Sequence, residues 1–358
     1  MKTLTITLHD TDNCGSSLQA YALQHFLLRH HIDNEIVDYV PRYVRYNGSM
    51  LRSLAKRVLF FIPSMKTLYK FRRFKKQYLH VTRRKYTTIG ALENARLQAD
   101  AFITGSDQLW NDTFMCGRDP AYYLSFATNH KLAYAVSIGK EMVGEESKQR
   151  IAQYVSDYQW VSVREPSGVP IVSESTDVPI VHVCDPVFLN SKQEYASIAQ
   201  PVKVPEKYIL VYLAQAVDRT MMDSMLDVLK KQLHCQTVLI GTCVKKCTCD
   251  IHVKSVSPTE FLYLIEHAAY VVSNSFHATM FSLIFEKQFA TLLPQENGTR
   301  ITSVLDAVGL QQHGLVAPQL VEHHISEAEY QNISLRLQTF AERSGAALLQ
   351  QLQNLKID

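Results

Sequence analysis

Short β-branched runs, each followed by a turn and then by apolar residues at helical spacing, recur through most of this chain. A sequence that keeps switching from strand to helix in this way has few solutions other than parallel sheets covered by helices. The predicted strands of a first series are Thr3–Leu8, Glu35–Val40, Asp100–Thr104, Tyr134–Ile138, Trp160–Val163 and Val181–Cys184. After the proline-bearing stretch KQEYASIAQPVKVPEK, which shows no period and reads as a link between domains, a second series begins. Its strands are Tyr208–Leu213, Thr237–Ile240, the run opening at Tyr270, and Phe289–Leu292. Helices are expected at 145–158, 218–233, 301–308 and, behind capping boxes, from Ser257 with Glu260 and from Ser326 with Glu329. The last of these is long and carries Ile333, Leu337, Phe340, Leu348 and Leu352 on its apolar side.

The expected fold is therefore α/β: two doubly wound, Rossmann-like domains facing each other across a cleft, with a long C-terminal helix. The predicted divisions are 1–200, holding a basic helical insertion at about 42–96, then 201–325, then the helix 326–358. At 358 residues the chain exceeds a usual single core, and 46% hydrophobic with 20% charged residues is a globular balance. No run of 18 apolar residues is present. The start MKTLTITLHD enters a strand pattern without a signal sequence, so a cytoplasmic protein is expected. The cysteines number seven, with Cys14, Cys116, Cys184 and Cys235 scattered among apolar neighbours as reduced packing residues. Cys243, Cys247 and Cys249 lack the paired spacing of a structural zinc site and have Lys245 and Lys246 between them. They read as a solvated loop without metal, although His252 stands near as a fourth ligand.

Charge is segregated. Between Arg42 and Arg96 there are 15 Lys plus Arg and one acid, Glu93, so this segment is net +14 in a chain of net +3, and the remainder is −11. Its centre interleaves Leu59, Phe60, Phe61, Ile62, Leu68, Tyr69, Phe71 and Phe74 with cations, which fits a helix lying on an anionic membrane surface. A solvated amphipathic helical hairpin fits as well; nucleic acid is not expected, because no binding motif accompanies the charge.

Four places carry chemistry. The loop His9–Ser17 joins a strand to a helix and offers Asn13, Gly15 and Ser16 as a turn whose N–H groups suit a phosphate or carboxylate, or form an ordinary βα turn. The strand at 100–104 delivers Gly105, Ser106, Asp107, Gln108, Trp110 and Asn111 to its carboxyl end, a vocabulary for sugar hydroxyls. Arg164 ends another strand, where it clamps an anion or pairs with Glu165. In the stretch Tyr270–Phe289, Ser275 is placed to cap a helix and His277 to sit in its first turn. The positive helix end there favours a neutral imidazole, available as a base, while a histidine that only packs is the plain alternative.

Together the segments HDTDNCGSSLQAYALQHFL, FITGSDQLWN, VSVREPSGV with CDPVFL, and YVVSNSFHATMFSLIFEKQF resemble the polysaccharide pyruvyl transferase family, in its order and over most of the chain except 42–96. The resemblance implies a GT-B architecture whose final helix returns toward the first domain. It implies transfer of pyruvate from phosphoenolpyruvate, without metal or other cofactor, to two hydroxyls of a glycan acceptor, free or lipid-linked, in surface or capsular polysaccharide synthesis. On this reading His277 and Asp107 are catalytic, and Arg164, Arg300, Asn13, Gly15, Ser16 and Ser275 hold the donor's anions. Asn111, Gln108 and His9 then meet the acceptor. One position departs from the family, where an arginine often stands two residues before the histidine; here it is Ser275. That departure leaves open a GT-B-like glycosyltransferase using a nucleotide sugar, and the basic, aromatic block leaves open a non-catalytic, membrane-associated subunit of a polysaccharide assembly complex.

Overall fold

The computed structural model describes residues 1–45, 54–241, 247–293 and 298–355, with the side chains of 45–64 outside that description. The chain divides into two compact units. The first comprises Met1–Arg52, Lys75–Asn190 and Thr339–Asp358; the second comprises Ser53–Phe74 and Ser191–Gln338.

In the first unit six parallel strands run β1 (Lys2–Ile6), β2 (Asp33–Ile36), β3 (Ala101–Thr104), β4 (His130–Val136), β5 (Trp160–Val163) and β6 (Ile180–His182). Their spatial order is β2-β1-β3-β4-β5-β6. Strand β1 is buried on both faces from Thr3 onward, as a helix-covered parallel strand must be. Its two threonines escape an unsatisfied burial because Asn34 Nδ2 donates to both hydroxyls at 2.9 Å. Strand β6 closes the sheet's edge only half-buried, with Val181 38% exposed, where the sequence predicts a buried strand; an edge strand has a neighbour on one side only.

The order reverses between β1 and β3, so their carboxyl ends flank the crevice in which ligands of open α/β sheets bind. Gly105, just past β3, lets the two ends approach: a Cβ there would lie 3.0 Å from Thr7 Cβ.

The second unit repeats the plan with β7 (Tyr208–Tyr212), β8 (Gln236–Ile240), β9 (Ile251–Val253), β10 (Tyr270–Ser273), β11 (Phe289–Leu292) and β12 (Gly314–Leu315). All pairs are again parallel, the order is β12-β11-β10-β7-β8-β9, and the reversal falls between β7 and β10. Strands β9 and β12 have no counterpart in the sequence reading; three and two residues are too few to show a period.

The supposed link contains a helix, Lys192–Ile198, behind a capping box in which Ser191 and Glu194 exchange hydrogen bonds. Tyr195 anchors it, fully buried and edge-on to Phe281 with ring centroids 5.0 Å apart. The basic block forms one long helix, Leu54–Tyr78, rather than a hairpin, followed by bridges at Val81 and Tyr86 and the short helix Ile89–Ala95. The apolar run Leu59–Ile62 lies outside the described side chains.

Cys243 also lies outside the described residues, but Cys247 is 3% exposed and its Sγ is 3.5 Å from that of Cys249. The two thiols pack with Leu239, Met222 and Leu226 of the second core rather than in solvent. The contact with Cys247, together with burial, raises the Cys249 pKa.

The terminal helix, Glu327–Asn354, starts in the second unit and ends in the first, where Leu348 and Leu352 join Leu23, Phe26 and Leu27 of the helix Cys14–Arg29 in one apolar cluster. Gly345 is needed for that approach, since a Cβ there would come within 2.7 Å of the Phe26 ring.

Candidate functional site

The carboxyl edge of the first sheet gathers several of the predicted site residues. Asn13 caps the helix after β1, its Oδ1 accepting from Gly15 N at 2.9 Å and Ser16 N at 3.3 Å. Two donors expected to face a ligand anion are thus met by the chain's own carboxamide. Ser16 Oγ donates to Asp107 Oδ2 at 2.5 Å, tying the β1 and β3 ends together at the reversal. Asp107 sits at φ 85°, a left-handed conformation costly for a non-glycine residue, and its Oδ1 accepts from Gln108 N at 2.8 Å.

Arg164 is 4% exposed, and Nη1 donates to Asp185 Oδ2 at 2.6 Å. Burial opposes its charge, but Asp185, Asp107 and Glu165 outweigh that and raise its pKa. The neighbouring Glu165 lies at ion-pair distance, Oε2 3.9 Å from Arg164 Nε, while its Oε1 accepts from Ile138 N and Gly139 N, both at 2.6 Å, and from Ser137 Oγ at 3.0 Å, fixing the turn after β4. A ligand anion reaching Arg164 has to compete with Asp185.

His9 is buried with Nδ1 3.1 Å from the Thr7 carbonyl oxygen and Nε2 3.1 Å from Asp38 Oδ1. Lys75 Nζ reaches Asp38 at 2.6 Å and Asp10 at 3.1 Å, and Lys85 also reaches Asp10. Burial pushes the Asp38 carboxyl up, yet the hydrogen bonds from His9 and Lys75 more than offset it and hold its pKa below the usual range. Asn111 is fully buried, donating to Gln108 Oε1 at 2.8 Å and accepting from Thr113 N at 3.0 Å. Trp110 belongs to the core, not to a sugar platform: it is 1% exposed, stacked on Tyr123 at 5.3 Å, and its Nε1 donates to Tyr122 O.

In the second unit the predicted corner forms. Ser275 caps the helix Phe276–Ile284, its Oγ accepting from Ala278 N, and His277 occupies the first turn. The His277 ring is 7% exposed and edge-on to Phe276, with centroids 5.1 Å apart. Arg300, in the first turn of the helix Thr299–Val308, places its guanidinium carbon 5.5 Å from the same Phe276 ring. A guanidinium and an imidazole therefore both lie against one aromatic ring at the start of the helix Phe276–Ile284.

Asn274 completes the corner and was not singled out from sequence. Its Oδ1 accepts from Ala214 N at 2.6 Å and Gln215 N at 3.2 Å, and its Nδ2 donates to Gln215 O at 3.2 Å, so it fastens the loop after β7 beside the reversal. The only local signal is a short polar residue between a strand and a capped helix. Asp185, the partner of Arg164, likewise carries no local signal of that role in the sequence. No group of three or more His, Cys, Asp or Glu side chains among the described residues is arranged to hold a metal ion.

Two parallel six-stranded units, each with its sites at the carboxyl strand ends, and a long closing helix define a GT-B-fold α/β protein. The S. aureus MnaA structure with UDP is similar over 100% of this chain and 97% of that one, at 11% identity and a TM-score of 0.55. The UDP-GlcNAc 2-epimerase of Methanocaldococcus jannaschii, in complex with UDP-GlcNAc and UDP, is similar over 99% of both chains at 12% identity, with a TM-score of 0.52. Likeness at such identities speaks for the fold. No curated protein matches the sequence. The family description "Polysaccharide pyruvyl transferase" matches residues 13–295, and the chain belongs to that family. No described helix is long and apolar enough to cross a membrane.

Proposed function

We propose that this transferase moves pyruvate from phosphoenolpyruvate onto two hydroxyls of a glycan as a cyclic ketal, within surface or capsular polysaccharide synthesis. The observation that carries the reading is the corner of the second unit, where the Arg300 guanidinium and the His277 ring both lie against Phe276 at the N-terminus of the helix Phe276–Ile284. That helix end carries partial positive charge and the guanidinium a full one, so the corner suits a small ligand with two anionic groups. It supplies with Arg300 what the family's more usual arginine would supply at Ser275.

The chemistry needs one proton delivered to the donor's methylene carbon, while a sugar hydroxyl adds to the adjacent carbon and gives up its own proton. Inorganic phosphate then leaves, and the second hydroxyl adds in its place, its proton departing with the phosphate. His277 moves the protons, and Arg300 balances the charge of the phosphate and carboxylate. Asp107, with Gln108 and Asn111 behind it, orients acceptor hydroxyls; Arg164 sets the electrostatics of that edge through Asp185. The Asn13–Ser16 turn and His9 brace the same edge. A lipid-carried acceptor and peripheral attachment to the inner, anionic face of a membrane belong to this reading.

The test is a thermal-shift and phosphate-release screen with phosphoenolpyruvate and, in parallel, nucleotide sugars. Stabilisation by phosphoenolpyruvate, lost in Arg300→Gln, supports the proposal. Stabilisation only by a nucleotide sugar, with nucleotide release, replaces it with glycosyl transfer.

A further inference from the structure

The basic block is not uniformly available. Lys70 Nζ is held by both carboxylate oxygens of Glu260, at 2.8 and 2.7 Å, and by Ser255 O at 2.9 Å. Lys75 and Lys85 are taken up by Asp10 and Asp38. The helix Leu54–Tyr78 buries Phe71 and Phe74 on one side. On the opposite side Lys66, Arg72, Arg73 and Lys76 are all exposed, together with Met65 at 47% and Tyr69 at 67%. These six positions fall on a single arc, since residues three, four and seven apart share a helix face. No carboxylate among the described residues pairs with the four cations.

A face that only kept the protein soluble would mix acids with its bases and spare no area for an exposed tyrosine and methionine. Here a single sign of charge surrounds two residues able to enter a headgroup layer, while the rest of the chain is acidic and repels an anionic surface.

We infer that the arc Met65–Lys76 is the surface by which the protein lies on an anionic lipid bilayer. Lys66, Arg72, Arg73 and Lys76 face the headgroups, and Tyr69 and Met65 settle between them. This rests on and deepens the reading of a lipid-carried acceptor by naming the contact. Its test consumes no donor, so pyruvyl transfer and docking stand or fall separately.

The experiment is sedimentation of the full chain with vesicles of phosphatidylcholine alone or mixed with phosphatidylglycerol, at rising salt. Binding is expected only to the anionic vesicles and should weaken steeply as salt shortens the Debye length. The variant Lys66→Gln/Arg72→Gln/Arg73→Gln/Lys76→Gln should lose affinity by roughly 600-fold, each of the four cations near the surface contributing about fivefold. Its melting temperature, checked first, should match the parent's, because every substituted side chain is exposed. Tyr69→Ser should weaken binding a fewfold without changing the salt dependence. Unchanged binding by the quadruple variant overturns the inference. So does equal binding to neutral vesicles, or a single-stranded oligonucleotide that binds the same face more tightly than the vesicles do.

Discussion

The two sheets share strand number, parallel direction and a reversal beside each unit's first strand, yet they treat the residues at that reversal differently. In the first, charged side chains answer one another: Ser16 with Asp107, Arg164 with Asp185, Glu165 with backbone amides, and His9 with Asp38 and Lys75. In the second, the reversal presents a capped helix end, an imidazole and a guanidinium around one aromatic ring. One architecture can thus pair its polar residues to hold an edge together or gather them around an aromatic ring at a helix end. The first edge should reveal itself in stability, the second in turnover.

The largest expected effect is at the second edge. His277→Ala should lower turnover by about 10²–10⁴-fold, the range for a lost acid–base group, while its melting curve stays near the parent's; a fully active variant removes the chemical half of the contrast. Next comes the first edge, where Asp185→Ala strands the buried Arg164 charge and should cost about 3–5 kcal/mol in denaturant unfolding. A smaller loss with normal turnover would mean that Arg164 is freer than its hydrogen bond to Asp185 implies. Gly105→Ala should cost about 1–3 kcal/mol by pushing β3 from β1 against Thr7.

Ser275→Ala sharpens the comparison from the other side. It removes one cap, about 1 kcal/mol, but should raise the donor's KM, since it disturbs the corner proposed to hold the anion. The smallest effect concerns pH. Asp38 has its folded pKa below the ordinary value of 3.8, so its contribution to stability is present above that value and fades as pH falls through the lowered one. Asp38→Asn should flatten the acid limb of a stability profile, whereas His277→Ala should leave that limb alone.

Much of this could be read from the residues because the relevant signals are local. Ser257 with Glu260, Ser326 with Glu329, and Ser275 before an apolar helix each announce a helix start, and each stands where expected. The Ser191–Glu194 box announced one too, but the prolines beyond it hid the helix within an apparent link. What stayed hidden depends on long-range pairing. Ser16 and Asp107 are 91 residues apart, and nothing near Arg164 says that it hydrogen-bonds Asp185 as well as pairing with the adjacent Glu165. Trp110 looked like a sugar platform because an indole near Asp and Asn suits one; its burial against Tyr123 comes from the fold, not from its neighbours in sequence.

The terminal helix has a consequence for how the protein is made. Ser344 Oγ donates to nothing near it in sequence beyond its own helix turn, but it accepts from Cys184 N at 3.0 Å, and Leu348 and Leu352 fill the cluster around Leu23 and Leu27. During vectorial synthesis the strands of this sheet have all emerged once His182 has, but the sheet lacks these plugs until residues 344–352 have followed. Nascent chains stalled before residue 344 should therefore hold that sheet with an open apolar seam, the natural place for a chaperone to wait.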